Sequence, residues 1–203
     1  NGTRDTGFTG TVTLAETGVG AATYTNPSVA AVAGVATFSG LTVTYTATAD
    51  QEAFALQAAS GALTAANSSS LTADVVATQL AFSTQPAPLL AVSGDVLDFS
   101  TDPVVEARDA NGTRDTGFTG TVTLAETGAG TATYANNSVA AVAGVATFSG
   151  LTVTYTATAD QEAFALQASS GGLTAASSSS LTADVVATQL VFATQPTGSV
   201  SGA

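Results

Sequence analysis

Asn111–Gly128, NGTRDTGFTGTVTLAETG, decides how the chain is read, because the same eighteen residues stand unchanged at Asn1–Gly18. The copies lie 110 residues apart, and of the roughly 86 positions where the chain can be laid on itself, 1–86 against 111–196, about nine differ. Self-similarity at a fixed period marks a tandem array and sets what counts as one unit. With 203 residues the chain holds somewhat less than two units, each long enough to bury its own core. The repeat predicts three parts: 1–76, a unit lacking its opening strands; 77–186, a complete unit; and 187–203, the opening strand of a further unit. The chain starts without Met in the middle of a repeat, which reads as a piece of something longer.

Within the repeat the apolar residues follow a period of two. Phe8, Gly10, Val12 and Leu14 fall on one face and Thr9, Thr11 and Thr13 on the other, the pattern of a strand with one wet side. Ala22–Ala33 is less patterned and reads as a short edge strand with a loop. In Gly34–Thr44, GVATFSGLTVT, Ala36 and Phe38 point inward, the phase slips at Ser39 and Gly40, and Leu41 and Val43 point inward again, which predicts a β-bulge at the glycine. Phe54, Leu56 and Ala58 alternate into the next strand, and Leu71 and Val75 anchor a closing one. Thr78–Pro86 then opens the following unit with Leu80 and Phe82 inward and Pro86 where an edge strand can lack a donor. Val96–Phe99 and Pro103–Asp109 add further strands. The expected fold is all-β, an antiparallel sandwich of seven to nine strands per unit. Phe8, Phe38, Phe54 and Phe82, with Phe118, Phe148, Phe164 and Phe192, read as core.

Composition excludes several functions. Net charge is −12, Lys and His are absent, and Arg4, Arg108 and Arg114 are the only cationic side chains, so a phosphate backbone is repelled and nucleic acid is not a partner. Charged residues make up only 9%, leaving the solvated surface to Thr, Ser, Asn and Gln. Without Cys there is no disulfide framework and no thiolate site. No run of eighteen apolar residues exists, so membrane insertion by a helix is not expected. Nucleophilic catalysis by Ser or Thr lacks a His, Lys or Cys base. Asp50 with Glu52, and Asp160 with Glu162, are carboxylate pairs on loops with no sign of a substrate cleft, and the chain reads as non-enzymatic without a cofactor.

Calcium is the one ligand to weigh. Asp109, Asn111 and Asp115, in DANGTRD, place hard oxygens around a glycine in a way faintly like the start of a calcium loop. The same letters are what a tight turn needs, with Asn or Gly at positive φ and Asp accepting a backbone N–H, and Arg114 stands ready to neutralise an acid. The turn is the preferred reading and calcium the alternative. Asp95, Asp98 and Asp102 form a second acidic cluster, read as solvated loop carboxylates. Asn1, Asn67, Asn111 and Asn136 stand in N-glycosylation sequons, weak signals in a chain so rich in Ser and Thr.

Residues 103–173, with PVVEARDANGTRDTGFTGTVTLAETG, GVATFSGLTVT and FALQASSGGLT, resemble the bacterial immunoglobulin-like (Big-type) repeats of very large cell-surface and adhesin-type proteins. In that family an opening strand ends in a D-x-N-G turn, a G-x-V-T-L strand follows, and a G-V-A-T-F-x-x-L strand precedes the last hairpin. The resemblance implies tandem Ig-like sandwiches outside the cell or on its surface, acting as a non-catalytic module of a fibre, stalk or adhesin. The alternatives are loops that bind a glycan or another cell-surface molecule, and a spacer of an extracellular enzyme. A junction as short as Asp74–Thr78 would leave little freedom to bend. Because the two ends are complementary, the expected partner is a neighbouring copy, head to tail, with Leu190 and Phe192 as strand-donation candidates in a segment 188–203 that completes 1–76.

Overall fold

The structure, a computed structural model, describes residues 2–198. It is all-β, with no helix among the described residues. The first eight strands are β1 (Thr11–Glu16), β2 (Ala21–Thr25), β3 (Ser28–Ala30), β4 (Thr42–Thr46), β5 (Glu52–Phe54), β6 (Leu56–Ala59), β7 (Ala66–Asn67) and β8 (Leu71–Ala73). They pair as a four-stranded sheet in the order β3-β1-β6-β7 and as the two-stranded sheets β2-β4 and β5-β8. The remainder are β9 (Gln79–Thr84), β10 (Leu90–Val92), β11 (Val96–Asp98), β12 (Val104–Arg108), β13 (Thr121–Glu126), β14 (Thr131–Ala135), β15 (Ser138–Ala140), β16 (Val145–Thr147), β17 (Thr152–Thr156), β18 (Glu162–Phe164), β19 (Leu166–Ser169), β20 (Ala176–Ser177) and β21 (Leu181–Asp184). Their sheets are β10-β21-β18, β11-β17-β14, β16-β12-β9 and β15-β13-β19-β20. Every strand ladder lies within the first eight strands or within the last thirteen.

Several expectations are corrected in detail. The strands are short, and residues 77–184 hold thirteen rather than seven to nine, because the chain repeatedly leaves one sheet for another. Phe164 and Leu166 belong to different sheets, β18 pairing with β21 and β19 with β13. The stretch after Gly20 holds two strands, β2 and β3, rather than one. The β-bulge at Gly40 and Gly150 is instead a tight turn, in which Leu151 N–H donates to Phe148 O at 3.2 Å and Gly150 sits at φ +67°. A turn whose third residue has positive φ selects glycine. Through it the chain passes from β16, paired with β12, to β17, paired with β11 and β14, so the phase slip marks a change of sheet. The ladder between β10 and β21 is parallel in an otherwise antiparallel set of strand ladders.

The core lies in 77–184. Leu80, Phe99, Val105, Val122, Leu124, Phe148, Leu151, Val153, Tyr155, Phe164, Leu166 and Leu181 are all buried there, and Phe82 and Phe118 pack against them. These are the inward positions of the period-two pattern, and their burial drives the sheets together. In 2–76 the same letters sit in a different environment. Leu181 is 0% exposed and its counterpart Leu71 is 41% exposed; Phe148 is buried and Phe38 only half-buried. The covering strands β9 and β12 have no counterparts there. Val145–Thr147 is a strand because β12 runs beside it, whereas the identical Val35–Thr37 makes no strand ladder. Residues 188–196 repeat the sequence of β9 almost unchanged, yet form no strand through 198, and Leu190, Val191 and Phe192 are 100%, 79% and 75% exposed.

Candidate functional site

The DANGTRD segment forms the tip between β12 and β13. Asp109 Oδ1 accepts the N–H groups of Asn111 (2.9 Å) and Thr113 (2.8 Å), and its Oδ2 accepts Asn111 Nδ2 at 3.2 Å. Gly112, at φ +87°, donates its N–H to Asp109 O at 3.1 Å. Asp115 is turned away from this pair: its Oδ1 accepts Gly117 N–H (2.8 Å) and its Oδ2 accepts Ala77 N–H (2.9 Å). The three candidate ligands are thus not brought together, and Asp109 does the work of an Asx turn. Among the described residues no group of three or more acidic side chains is placed to hold a metal ion. Arg114 approaches Glu106 at 3.7 Å, and Arg108 pairs with the same carboxylate at 2.6 Å.

The other acidic positions are likewise dispersed. Asp102 Oδ2 accepts Gly150 N–H at 2.9 Å and clamps the turn where the chain changes sheet, whereas Asp98 lies in β11 and Asp95 in the turn before it. Of the sequon asparagines, Asn1 lies outside the described residues. Asn67 accepts Gln57 Nε2 at 3.0 Å, Asn111 is held by Asp109, and Asn136 donates to Gly150 O at 2.9 Å.

Asp50 and Glu52, two residues apart, serve different structures. Glu52 reaches back over its own loop, accepting the N–H groups of Gly20 (2.8 Å) and Thr48 (2.7 Å), the Thr48 hydroxyl (2.7 Å) and the Tyr45 hydroxyl. Glu162 repeats the set with Gly130, Thr158 and Tyr155, and the Tyr155 ring stacks on Phe164 with centroids 4.0 Å apart. The tyrosine hydroxyl first, and the threonine next, hold each glutamate at about 2, well below the ordinary value. A carboxylate satisfied this way is a structural acceptor, not a general acid at neutral pH. The pairing was legible as a tyrosine seven residues before a glutamate in both copies.

Asp50 instead joins the two units. Its Oδ1 accepts Val75 N–H (2.8 Å) and Gln51 N–H (2.8 Å), while its Oδ2 accepts Thr116 N–H (2.9 Å) and the Thr116 hydroxyl. With Ala77 N–H bound to Asp115, the connecting residues are fixed from both sides. Val75, between these contacts, is only 5% exposed. The Thr116 hydroxyl is the main cause holding Asp50 down to about 2, followed by Val75 N–H. Beside this junction lies a cleft of about 390 Å³ lined by Thr48, Asp50, Glu106, Arg108, Arg114 and Thr116 among others. Sequence reading did not find the Asp50–Thr116 contact, because its partners are 66 residues apart and no local pattern links them.

Asp50, Glu52 and Glu162, each held at about 2, are expected to contribute to stability against acid. Their folded pKa values lie below the unfolded ones, so their contribution is fully present above the unfolded values and is lost as pH falls through the folded values. The melting temperature should be flat from neutral pH to about pH 5 and fall between about pH 4.5 and 2. Glu162→Gln, melted by circular dichroism across that range, should show a shallower acid slope than the parent. An unchanged slope would show that Glu162 is not a source of it.

No protein-family model matches the chain, and no curated protein sequence does. Among solved structures the chain is similar to a glycosyl hydrolase family 2 member from Bacteroides cellulosilyticus, at 16% identity and TM-score 0.39, over 87% of this chain and 22% of that one. It is similar to a beta-glycosidase from Bacteroides vulgatus, at 9% identity and TM-score 0.40, over 87% of this chain and 21% of that one. It is also similar to domains 4–9 of the surface layer protein SbsC, at 14% identity and TM-score 0.34, over 95% of this chain and 24% of that one.

Proposed function

We propose that the chain is a non-catalytic structural module of a bacterial extracellular fibre, stalk or cell-surface adhesin, built of tandem Ig-like sandwiches of the Big type. The observation that supports it most is the junction: near-identical units follow one another, and the few residues between them are held by Asp50 and Asp115. Units coupled in this way set a distance and resist bending, which is the work of a stalk. The acidic residues serve as turn and loop acceptors, consistent with a mechanical rather than a chemical role.

Immunogold electron microscopy of the source cells tests the reading. The expected label lies along periodic filaments or stalks outside the cell, and label confined to the cell interior would overturn it. The junction has its own test. Asp50→Ala removes the acceptor for both Val75 and Thr116, so small-angle X-ray scattering should show a broader distance distribution while circular dichroism keeps its β signal. An unchanged distribution would mean that the junction is held by other contacts.

A further inference from the structure

We infer that the cleft beside the junction binds an acidic sugar, a hexuronate whose carboxylate meets Arg108 and Arg114 and whose hydroxyl groups meet the threonines around them. Three features of the lining meet in that class of ligand.

The first is a surplus of cationic donors. Arg108, at the end of β12, and Arg114, beyond the DANG tip, face one another as a β-bridge pair, held by Asp109 N–H to Thr113 O (2.9 Å) and Asp115 N–H to Ala107 O (3.0 Å). Like charges set directly opposite repel. One carboxylate, Glu106, serves both: its Oε2 accepts Arg108 Nε (2.9 Å) and Nη2 (2.6 Å), while its Oε1 lies 3.7 Å from Arg114 Nη1. Among the described residues the Arg114 guanidinium donates no hydrogen bond, and its side chain is 44% exposed. A guanidinium carries five N–H donors in a planar fork that matches the two oxygens of a carboxylate.

The second is a set of hydroxyl oxygens left only to accept. Thr48 Oγ1 donates to Glu52 Oε2 (2.7 Å), Thr113 Oγ1 to Ala47 O (3.4 Å) and Thr116 Oγ1 to Asp50 Oδ2. A threonine hydroxyl has one hydrogen and two lone pairs, so with the hydrogen committed each of these oxygens offers lone pairs to the cleft. A simple carboxylate would leave them unused, and a neutral sugar would leave the guanidiniums unused. A hydroxyl-rich carboxylate engages both.

The third is the charge and size of the place. The lining comes from residues 48–116, with Thr48, Ala49 and Asp50 in the loop before β5 and the rest on β12 and the turn after it. Two guanidiniums stand against Glu106 and Asp50, so the cleft is locally balanced in a chain of net charge −12, and an anion meets less repulsion there than the net charge would impose. Its volume of about 390 Å³ is at the lower end of small-ligand sites and suits a single sugar ring. The two walls are already tied by Thr116 N–H to Asp50 Oδ2 at 2.9 Å, so a ligand finds the loops in place.

Ligand binding here goes beyond the proposed role and uses only the cleft, so its failure would leave the stalk reading standing. It is tested on the 203-residue chain by heteronuclear NMR titration at low ionic strength with sodium galacturonate, and in parallel with sodium acetate and with galactose. Galacturonate should shift the backbone amides of Ala49, Gly112, Thr113, Arg114 and Thr116 along a saturable curve with a Kd of about 1 to 10 mM, and acetate and galactose should each bind at least about tenfold more weakly. Raising the salt to about 0.15 M should weaken the galacturonate response. Arg114→Gln, at an exposed position, should weaken it at least about tenfold while the amides of the core keep their parent positions. The absence of a saturable shift, an equal response to acetate or galactose, or an Arg114→Gln chain that binds like the parent would each overturn the inference.

Discussion

Phe148→Ala should cost the complete unit about 3 to 5 kcal/mol, and Phe38→Ala should leave the same unfolding transition within about 0.5 kcal/mol. The two phenylalanines sit in the same eleven letters, GVATFSGLTVT, so intrinsic propensity cannot separate them. Phe148 is 0% exposed in a core that includes Leu124, Val105, Leu151 and Leu166, and truncating it loses the transfer free energy of the ring and leaves a cavity. Phe38 is half-buried in the other unit and contributes nothing to that core. Thr123→Ala gives the baseline: its hydroxyl meets Ser138 Oγ at 3.1 Å on the wet face, and its loss should also stay within about 0.5 kcal/mol. A urea titration followed by tyrosine fluorescence measures all three. Equal losses for Phe148→Ala and Thr123→Ala would sink the assignment of inward and outward faces, and equal losses for the two phenylalanines would deny that covering strands decide burial.

That contrast also shows what was legible in the sequence. The inward residues were readable because a sheet with one wet side imposes strict alternation, and Val122, Leu124, Phe148, Val153 and Leu181 sit where alternation put them. The D-A-N-G turn was readable because Gly112 and Asp109 have local jobs that few residues can do. Positions whose role depends on distant chain were not. The slip at Gly150 has the same sequence signature whether the strand bulges or turns into the other sheet, and only the partners of β16 and β17 distinguish them. The parallel ladder of β10 joins residues about ninety apart. Residues 188–196 carry a strand pattern and are not a strand, because a pattern describes a face and a strand needs a neighbour. The calcium reading drew Asp109 and Asp115 together by spacing, whereas the backbone sends one to its own turn and the other to Ala77.

Hydrogen exchange should make the same point residue by residue. Amides of Leu166–Ser177 should exchange at least about a hundredfold more slowly than those of Leu56–Asn67 in dilute solution. Both segments contain the same strand pair with the same partners: β19 lies between β13 and β20, and β6 between β1 and β7. The hydrogen bonds are therefore alike, as in Ser178 N–H to Leu166 O and Ser68 N–H to Leu56 O, each 2.8 Å. What differs is the free energy of opening. Separating β19 exposes Leu166 and Ala168, both 0% exposed, and breaks into a closed core, whereas β6 already presents half-buried side chains. A difference of about 3 kcal/mol in opening corresponds to about two decades in exchange. The segments can be told apart by mass, because they differ at 59, 62 and 67 against 169, 172 and 177. Equal protection in the two would mean that local hydrogen bonding, and not closure of the core by β9 and β12, sets the stability of the repeat.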